Sequence, residues 1–531
     1  MPSPRYDAVI IGGGINGAGI ARDAALRGLE VLLLEQNDFG SGTSSWSSRL
    51  IHGGLRYLEH GEIPLVYESL RERRVLQEVA PHLVRRLRIN IPVYDHSKRG
   101  MLLLRAGMMA YDLLSLGKSL PKHRVLNREQ FLRNEPGVNP SGLRGGVQYF
   151  DAQVPYAERL VIENIVAAQD AGAVVENYSL VTSIGVEGGR VERVVYRHRD
   201  TGSEAEAHAR IVVNASGPWV DDVLAKTTLP GRKLIGGTKG SHIIVGAFEG
   251  APKDAFYVEA QADGRPFFII PWNGQYLIGT TDIRYDGDPG GAVASIAEIQ
   301  YLLEETNRIF PQANLVTGDI HYTYAGVRPL PLRSAGPESA ITRKHIIRRH
   351  ERAKGLWTVI GGKLTTYRSL AEDAIDRIVR RSGLEARACK TREELLPGAI
   401  GLAEIGQRVN GGAKIPDEGL ARLLGIYGGR TEKIIDLARA EPEPAAEADP
   451  RTAVLAAEVQ FAIRFEFART LTDILHRRTM IGLAPDLGQS AVMDIAAVAA
   501  SELRWSEAET EQQLSALRTY NERLTPLTRL E

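Results

Sequence analysis

Three glycines near the amino terminus have a spacing that suits phosphate binding. Gly12, Gly14 and Gly17 follow a short apolar run and open a stretch with helical periodicity. A strand that ends in close glycines and leads into a helix lets backbone amides approach a pyrophosphate at the positive helix terminus. Glu35 lies 18 residues beyond Gly17, where an acidic residue accepts hydrogen bonds from a ribose. The pattern predicts a bound dinucleotide.

Three further features favour FAD over NAD, which uses the same glycine motif. Small hydroxyl residues occupy positions 40–48, where a long extended cofactor needs donors; a solvated loop is the alternative. Residues 212–217 read as a buried strand closed by small residues, which suits close approach to a flat ligand. Gly361 and Gly362 offer a second helix N-terminus. Because no second GxGxxG motif follows a strand, we expect electrons to enter the flavin directly from the substrate.

These motifs require a sheet to position them. Residues 7–11, 18–26 and 30–35 read as strand, helix and strand, a βαβ unit. Residues 71–133 read as mixed helix with many cations, and residues 145–151 read as an edge strand or turn. Residues 234–327 alternate as strands with one helix near 295–309, which predicts an antiparallel sheet on the substrate side, and the chain turns helical after Cys389. The predicted domains are a dinucleotide-binding domain (1–80, 145–233 and 326–388), a substrate domain (234–325), a basic and apolar segment (81–144) and a C-terminal helical domain (389–531).

Composition narrows the classes of partner. A chain of 531 residues predicts two or three domains. Its 65 Lys and Arg balance 65 Asp and Glu, which argues against nucleic acid as a partner. The single Cys389 excludes an internal disulfide and a cysteine-ligated iron–sulfur cluster, and we predict no metal site. Because the first strand begins almost at once, we expect no signal or transit peptide and a location on the cytoplasmic side.

The segment between residues 81 and 133 is unusually basic. It holds eleven Lys or Arg against three Asp or Glu, and residues 101–116 within it are apolar on most faces. This run is too short and too charged to span a bilayer, which takes about 20 residues. It favours a helix lying in the membrane surface with cations toward lipid headgroups. A buried helix with a solvated basic collar is the alternative.

Several motifs together resemble the FAD-dependent glycerol-3-phosphate dehydrogenases. They are residues 47–59 (SSRLIHGGLRYLE), 237–242 (GTKGSH), 278–282 (IGTTD), 324–330 (YAGVRPL), 340–343 (AITR) and 361–368 (GGKLTTYR). The resemblance covers nearly the whole chain. It implies a Rossmann-like α/β fold of the glycine oxidase or amino-acid oxidase type. It also implies oxidation of sn-glycerol 3-phosphate to dihydroxyacetone phosphate, with hydride transfer to FAD and onward reduction of a membrane quinone.

The resemblance also suggests roles for individual residues. A phosphate dianion near a flavin needs several cations, and Arg56, Arg328, Arg343 and Lys363 lie in short motifs rich in Gly, Pro and Thr. Tyr57 and Thr365 are candidates to hydrogen-bond the substrate.

His242 is the candidate base, because its ordinary pKa near 6.5 suits removal of a hydroxyl proton. Arg328 could instead stabilise the developing alkoxide, and His52 could be scaffolding for the flavin loop. The residues expected to contact FAD are Gly12, Gly14, Asn16, Gly17, Glu35, Thr43, Ser44, Ser48, Leu50, His52, Val181, Ala215, Gly217, Gly362, Leu364 and Thr366.

Two related functions stay open at this point. An α-glycerophosphate oxidase would use the same site and pass electrons to oxygen, and a flavoprotein of this fold could oxidise an amine. The expected partners are glycerol 3-phosphate, a membrane quinone and the bilayer surface, with a peripheral location on the cytoplasmic face of the membrane. A homodimer is a further expectation.

Overall fold

A computed structural model describes residues 4–59, 61–115, 120–229, 231, 233–332, 343–409, 417–440 and 456–526, without the side chains of residues 56, 59, 406–409 and 417. The strands are β1 (Arg5–Ile11), β2 (Val31–Leu34), β3 (Leu50–Ile51), β4 (Arg85–Tyr94), β5 (Arg124–Asn127), β6 (Leu143–Gln153), β7 (Val174–Glu176), β8 (Ser179–Glu187), β9 (Arg190–His198), β10 (Glu204–Asn214), β11 (Thr238–Val245), β12 (Ala255–Glu259), β13 (Pro266–Trp272), β14 (Gln275–Gly279), β15 (Ile283–Arg284), β16 (Ile320–Arg328), β17 (Ile346–Arg349) and β18 (Leu356–Ile360). The helices are α1 (Ile15–Leu26), α2 (Arg56–Glu59), α3 (Ile63–Val79), α4 (Met101–Leu114), α5 (Arg128–Asn134), α6 (Ala157–Asp170), α7 (Val220–Leu224), α8 (Ile296–Ile309), α9 (Tyr367–Ser382), α10 (Leu402–Val409), α11 (Asp417–Tyr427), α12 (Thr431–Ala440), α13 (Ala456–Glu466), α14 (Leu471–Asp473), α15 (Val492–Leu503) and α16 (Glu507–Glu522).

The first sheet is built around β1. Its strand order is β17-β18-β10-β1-β2-β7, and β18, β10, β1, β2 and β7 run parallel to one another. The antiparallel pair of β8 and β9 extends from β10. Parallel strands are buried on both faces and therefore need continuous apolar runs. β2 satisfies this rule, since all four of its residues are buried.

Two layers cover the faces of this sheet. Helices α1, α6 and α9 pack on the face that carries Ala8, Ile10 and Leu33. The β8–β9 pair covers the opposite face, which carries Val9 and Leu32. The glycine loop therefore lies beyond the carboxyl end of β1, where open parallel sheets hold their ligands.

The second sheet has ten strands in the order β15-β11-β14-β13-β12-β4-β6-β3, with β16 beside β11 and β5 beside β6. Its pairs are antiparallel except β12 with β4. One face packs on α8, which begins at a capping box formed by Ser295 and Glu298. The opposite face packs on α4 and on helices from the end of the chain. This face also meets the first domain.

The C-terminal helices form a core of their own. Leu471, Ile474, Ile495 and Leu517 belong to a cluster separate from the two sheets, while Phe461 packs into the cluster under the second sheet. The predicted combination of an α/β domain, an antiparallel substrate sheet and a helical C-terminal domain is thus confirmed.

Three local predictions were wrong. Residues 145–151, expected as an edge strand or turn, lie in β6, an interior strand that pairs with β4 along its length. Residues 71–133, expected as mixed helix, also contribute β4 to the substrate sheet, because the run 89–94 fits a strand with buried faces. Finally, α9 begins at Tyr367, so Gly361 and Gly362 lie in the loop before the helix rather than at its N-terminus.

Candidate functional site

The glycine loop has the geometry of a phosphate cradle. Gly12 has a φ of +108°, and a Cβ there would lie 2.8 Å from the carbonyl oxygen of Ala215. A Cβ on Gly17 would lie 1.8 Å from the carbonyl oxygen of Gly12. Gly14 precedes the first residue of α1 and provides no side-chain cap. Only glycines allow this close packing of loop, helix and β10, which leaves the first turn of α1 open to an anion.

Glu35 follows β2. Its side chain hydrogen-bonds to this loop and also lines the cavity beside it. Its Oε2 accepts a hydrogen bond from the Gly13 amide at 2.7 Å, and its Oε1 accepts one from the Asn37 amide at 2.9 Å. Burial raises the pKa of the Glu35 carboxyl. The carboxylate retains further acceptor capacity for a ribose hydroxyl, since each oxygen has more than one lone pair.

A cavity of about 700 Å³ extends from the glycine loop between the two sheets. This volume lies in the upper half of the range for small-molecule sites, roughly 300–1,000 Å³. Eleven of the predicted cofactor residues line it, namely Gly12, Gly14, Asn16, Glu35, Thr43, Ser44, Val181, Ala215, Gly217, Gly362 and Leu364. The cavity is therefore large enough and polar enough at one end for an extended dinucleotide.

Polar side chains of the lining hold the loops together and leave one acceptor unused. Ser44 Oγ accepts from the Ile15 amide at 3.0 Å, and Thr43 Oγ1 donates to the Val327 carbonyl at 2.7 Å. Asn16 Nδ2 donates to the Gly361 carbonyl at 3.1 Å, joining the glycine loop to the loop before α9. Its Oδ1 is buried and has no partner among the described residues. A buried acceptor of this kind fits a bound ligand with a donor.

The other predicted cofactor residues support the lining. Gly17 allows the close approach of α1, and Leu50 lies in β3, paired with Gln153. Thr366 precedes α9, and its carbonyl accepts from the Leu370 amide.

His52 also lies in this supporting layer. Its backbone amide donates to Thr365 Oγ1 at 3.1 Å. Burial is the largest influence on the ring and lowers the pKa of His52 to about 4, so the ring is neutral at neutral pH.

Two of the predicted substrate-binding arginines share one carboxylate. Arg328, at the end of β16, donates to Asp282 Oδ1 at 3.1 Å, and Arg343 donates to Asp282 Oδ2 at 3.3 Å. Arg328 also donates to Thr280 Oγ1 at 3.1 Å. All three charged side chains are less than one quarter exposed. Asp282, which lies in one of the motifs but was not predicted as a site residue, orients both guanidinium groups.

Lys363 and Tyr57 contact each other. Lys363 Nζ lies 3.8 Å from the centre of the Tyr57 ring and 3.3 Å from Ser69 Oγ. Burial lowers the pKa of Lys363, and the neighbouring Arg343 acts in the same direction. Lys363 also lines the large cavity. The side chain of Arg56 and residues 340–342 of the AITR motif lie outside the described part of the chain.

His242 lies on β11 and is 1% exposed. Its Nε2 lies 2.8 Å from Ser48 Oγ, and its ring packs against Tyr324 at 4.7 Å between centres. Its Nδ1 has no hydrogen-bond partner within the described ranges. Burial, with a smaller contribution from Arg328, holds the pKa of His242 well below its ordinary value. The ring is therefore neutral and can accept a proton through Ser48, which is only half-buried.

The cavity also has a wall that the sequence did not reveal. Thr470, Thr472, Arg477, Gln513, Ala516, Tyr520 and Arg523, all from the C-terminal helical region, contribute to its lining. Their local sequence carries no motif for a ligand, so only their position in the fold identifies them.

Comparison with known proteins extends these observations. Residues 7–419 match the model of the family "FAD dependent oxidoreductase", and residues 389–510 match "C-terminal domain of alpha-glycerophosphate oxidase". A glycerol-3-phosphate dehydrogenase from Synechocystis sp. is 45% identical, with 97% of this chain and 96% of the relative covered. An aerobic glycerol-3-phosphate dehydrogenase from Staphylococcus haemolyticus is 34% identical, covering 90% and 87%.

Solved structures show the same similarity in three dimensions. A glycerol-3-phosphate dehydrogenase from Bacillus halodurans complexed with FAD superimposes with a TM-score of 0.81 at 28% identity, covering 98% of this chain and 95% of that one. Glycine oxidase from Geobacillus kaustophilus shares the fold, with a TM-score of 0.54 at 22% identity over 74% of this chain and 99% of that one.

Proposed function

Because this chain belongs to the FAD-dependent glycerol-3-phosphate dehydrogenase family, we propose that it oxidises sn-glycerol 3-phosphate to dihydroxyacetone phosphate and passes the electrons to a membrane quinone. The observation that supports this substrate is a group of three cations: Lys363 lines the large cavity, Arg328 follows the lining residue Val327, and the charge of Arg343 acts on Lys363. Arg328 and Arg343 form ion pairs with Asp282, and Lys363 makes a cation–π contact with Tyr57. A phosphate dianion needs such a cluster, with forked bonds from Arg and a point charge from Lys.

Bound FAD supplies an acceptor for the hydride that leaves C2 of the substrate. The protein must remove the proton of the C2 hydroxyl. We assign this role to His242, whose neutral ring takes the proton through the Ser48 hydroxyl at 2.8 Å. We assign to Arg328 the stabilisation of negative charge on the same oxygen, because its charge also acts on His242. Tyr57, Thr365 and Arg343 would orient the remaining substrate oxygens.

The decisive experiment is anaerobic titration of the purified flavoprotein. We expect glycerol 3-phosphate to bleach the flavin absorbance, and a soluble quinone analogue to restore it faster than oxygen does. Bleaching followed by rapid reoxidation with oxygen and formation of peroxide would instead identify an α-glycerophosphate oxidase. Bleaching by a secondary amine, with no response to glycerol 3-phosphate, would overturn the proposal in favour of an amine oxidase.

We propose that electrons pass to the quinone near α4, where the protein contacts the membrane. This helix buries Leu104, Met108 and Tyr111, whereas four other large apolar residues of it, Leu102, Leu103, Met109 and Leu113, are between 63% and 83% exposed. Exposed apolar surface of this extent on one helix indicates an interaction surface. We infer that α4 lies in the membrane surface, with the basic residues around it toward lipid headgroups.

A small apolar cavity beneath α4 supports this route. It has a volume of about 140 Å³ and is lined by Leu55, Leu58, Leu103, Leu104 and Tyr257, among others. Leu58 of the short helix α2 contributes to this lining, while Tyr57 of the same helix contacts Lys363. The small cavity and Lys363 therefore both adjoin α2. Among the described residues, no helix has the length and hydropathy to cross a bilayer.

A further inference from the structure

We propose that the C-terminal helical domain is part of the FAD-binding site, and that Asp38 couples docking of this domain to retention of FAD. Seven residues of the domain line the large cavity beside residues of the first domain. They come from two places, the segment 470–477 and the face of α16 with the residue after it. FAD bound in this cavity would therefore be enclosed by both domains.

Asp38 forms the link between the cofactor loop and this wall. It lies three residues beyond Glu35 in the sequence and is 1% exposed. Arg478 donates to both of its oxygens at 2.8 Å, and Arg477 Nε donates to Oδ2 at 2.5 Å. Asn177 Nδ2 donates to Oδ1 at 3.1 Å. Two guanidinium groups from one domain thus hold a carboxylate of the other.

The geometry of the segment that carries these arginines favours a specific role. Residues 474–478 form one turn of π-helix, a rare form that is often found at functional sites. Arg477 reaches Asp38 and also donates to Asp473 Oδ1 at 2.6 Å, and Tyr178 donates to the same oxygen at 2.7 Å. Arg477 and Tyr178 both line the cavity. The residues that join the domains are therefore themselves part of the cofactor wall.

Thermodynamic linkage makes the coupling between FAD binding and domain docking reciprocal. A ligand that contacts both domains binds better when they are docked, and by the same free energy it favours docking. Removing one partner of a buried ion pair is strongly destabilising, because the remaining charge stays buried without compensation. Replacement of Asp38 should therefore loosen the C-terminal wall and weaken FAD binding together. This inference requires FAD but does not depend on the proposed substrate or acceptor.

The test compares D38N with E458Q in the full-length protein. Glu458 is a fully buried carboxylate paired with Arg422 inside the C-terminal domain, so E458Q controls for loss of a buried ion pair. We expect D38N to raise the dissociation constant for FAD at least about tenfold, measured by flavin release, while E458Q stays within about twofold of the wild type. Hydrogen exchange at residues 470–478 should slow on addition of FAD in the wild type and change much less in D38N.

A second variant keeps the proposal testable if D38N does not fold. Gln513 and Arg523 line the cavity but take no part in the ion pairs of Asp38. We expect Q513A/R523A to weaken FAD binding about tenfold, as loss of polar ligand contacts would, with exchange in the apoprotein unchanged except at the Leu471 amide, which donates to Gln513 Oε1. The proposal is overturned if either D38N or Q513A/R523A binds FAD like the wild type, if E458Q weakens FAD as much as D38N, or if FAD leaves exchange at 470–478 unchanged.

Discussion

At the scale of single residues, the candidate site depends on charges that other side chains hold in place. Asp282 accepts hydrogen bonds from Arg328 and Arg343, so both guanidinium groups have fixed orientations before a substrate arrives. Preorganised donors lose less entropy on binding than free side chains do. Through Asp282, the IGTTD motif (278–282) contacts the two predicted arginines, although the motif itself contains no Lys or Arg.

Replacement of Arg328 by alanine tests its role in substrate binding. We expect R328A to raise KM for glycerol 3-phosphate about 30-fold or more, because a charge-assisted contact to the phosphate or alkoxide is lost, while FAD stays bound. Steady-state kinetics and flavin content measure the two effects. R348A, at an exposed arginine on β17, is the control and should match the wild type. Loss of FAD from R328A would show that Arg328 supports the binding of the cofactor rather than that of the substrate.

The pH dependence of the rate tests His242. Because burial lowers its pKa well below 6.5, the proton-accepting form is already populated at neutral pH, and the rate should fall only at distinctly acid pH. We expect H242N to lower kcat by about 100-fold with FAD retained, and S48A to reproduce part of this loss. A wild-type profile that falls near pH 6.5 and becomes flat in H242N would contradict the lowered pKa.

At the scale of elements, α4 differs from the other described helices that pack on the second sheet. It buries one side against the cluster under that sheet and exposes Leu102, Leu103, Met109 and Leu113. A helix with these two faces is suited to lie at an interface rather than in water. Leu103 and Leu104 of α4 line the same small cavity as Leu58 of α2, so a membrane contact at α4 would lie close to Tyr57.

Substitution of the exposed face of α4 tests the membrane contact. We expect the variant L102S/L103S/M109S/L113S to lose flotation with vesicles that contain anionic lipid, because it loses the apolar area that would enter the interface. The control I400S/M493S removes exposed apolar side chains elsewhere and should float like the wild type. Reduction of a water-soluble acceptor should be unchanged in both variants. Equal flotation of the α4 variant and the wild type would remove this helix from the membrane contact.

At the scale of the whole molecule, buried ionisable groups connect stability to pH. Burial is the main cause that lowers the pKa of His52 and His350 to about 4 and that of His476 to about 3. The unfolded chain binds protons at these rings near pH 6.5, whereas the folded chain does not. Their contribution to stability is therefore present above pH 6.5 and is lost as the pH falls toward 4. Burial raises the pKa of Glu135 to about 7. Its contribution to stability therefore has the opposite pH dependence and is lost as the pH rises toward 7.

The variant H476Q isolates one of these rings. His476 donates from Nε2 to Asn521 Oδ1 at 2.9 Å, a bond that glutamine can also make. We expect the Tm of the wild type to fall more between pH 6.5 and 4.5 than that of H476Q, because H476Q lacks the group that titrates in the unfolded state. H208Q, at a half-exposed histidine, should follow the wild type. Parallel curves for wild type and H476Q would show that this ring does not contribute.

The sequence by itself determined the features that depend on local sterics. The βαβ unit, the glycine loop and the helix behind Ser295 follow from apolar periodicity, from positions where only glycine fits, and from a capping box. The family resemblance then identified the motifs that carry Arg328, Arg343 and Lys363. The sequence did not identify Asp282 as a site residue, and residues 145–151 of β6 read as an edge strand or turn, because pairing partners and neighbouring charges are not encoded within a motif.

Only the tertiary structure decided how distant segments meet. Ser48 and His242 are 194 positions apart, and Asp38 and Arg477 are 439 apart. No local pattern marks such pairs, because they form when whole elements pack and bury their apolar faces together. The glycine loop could thus be predicted as a phosphate holder from its own residues. That the same cavity is closed by helices from the other end of the chain, through Asp38, followed only from the packing of the two domains.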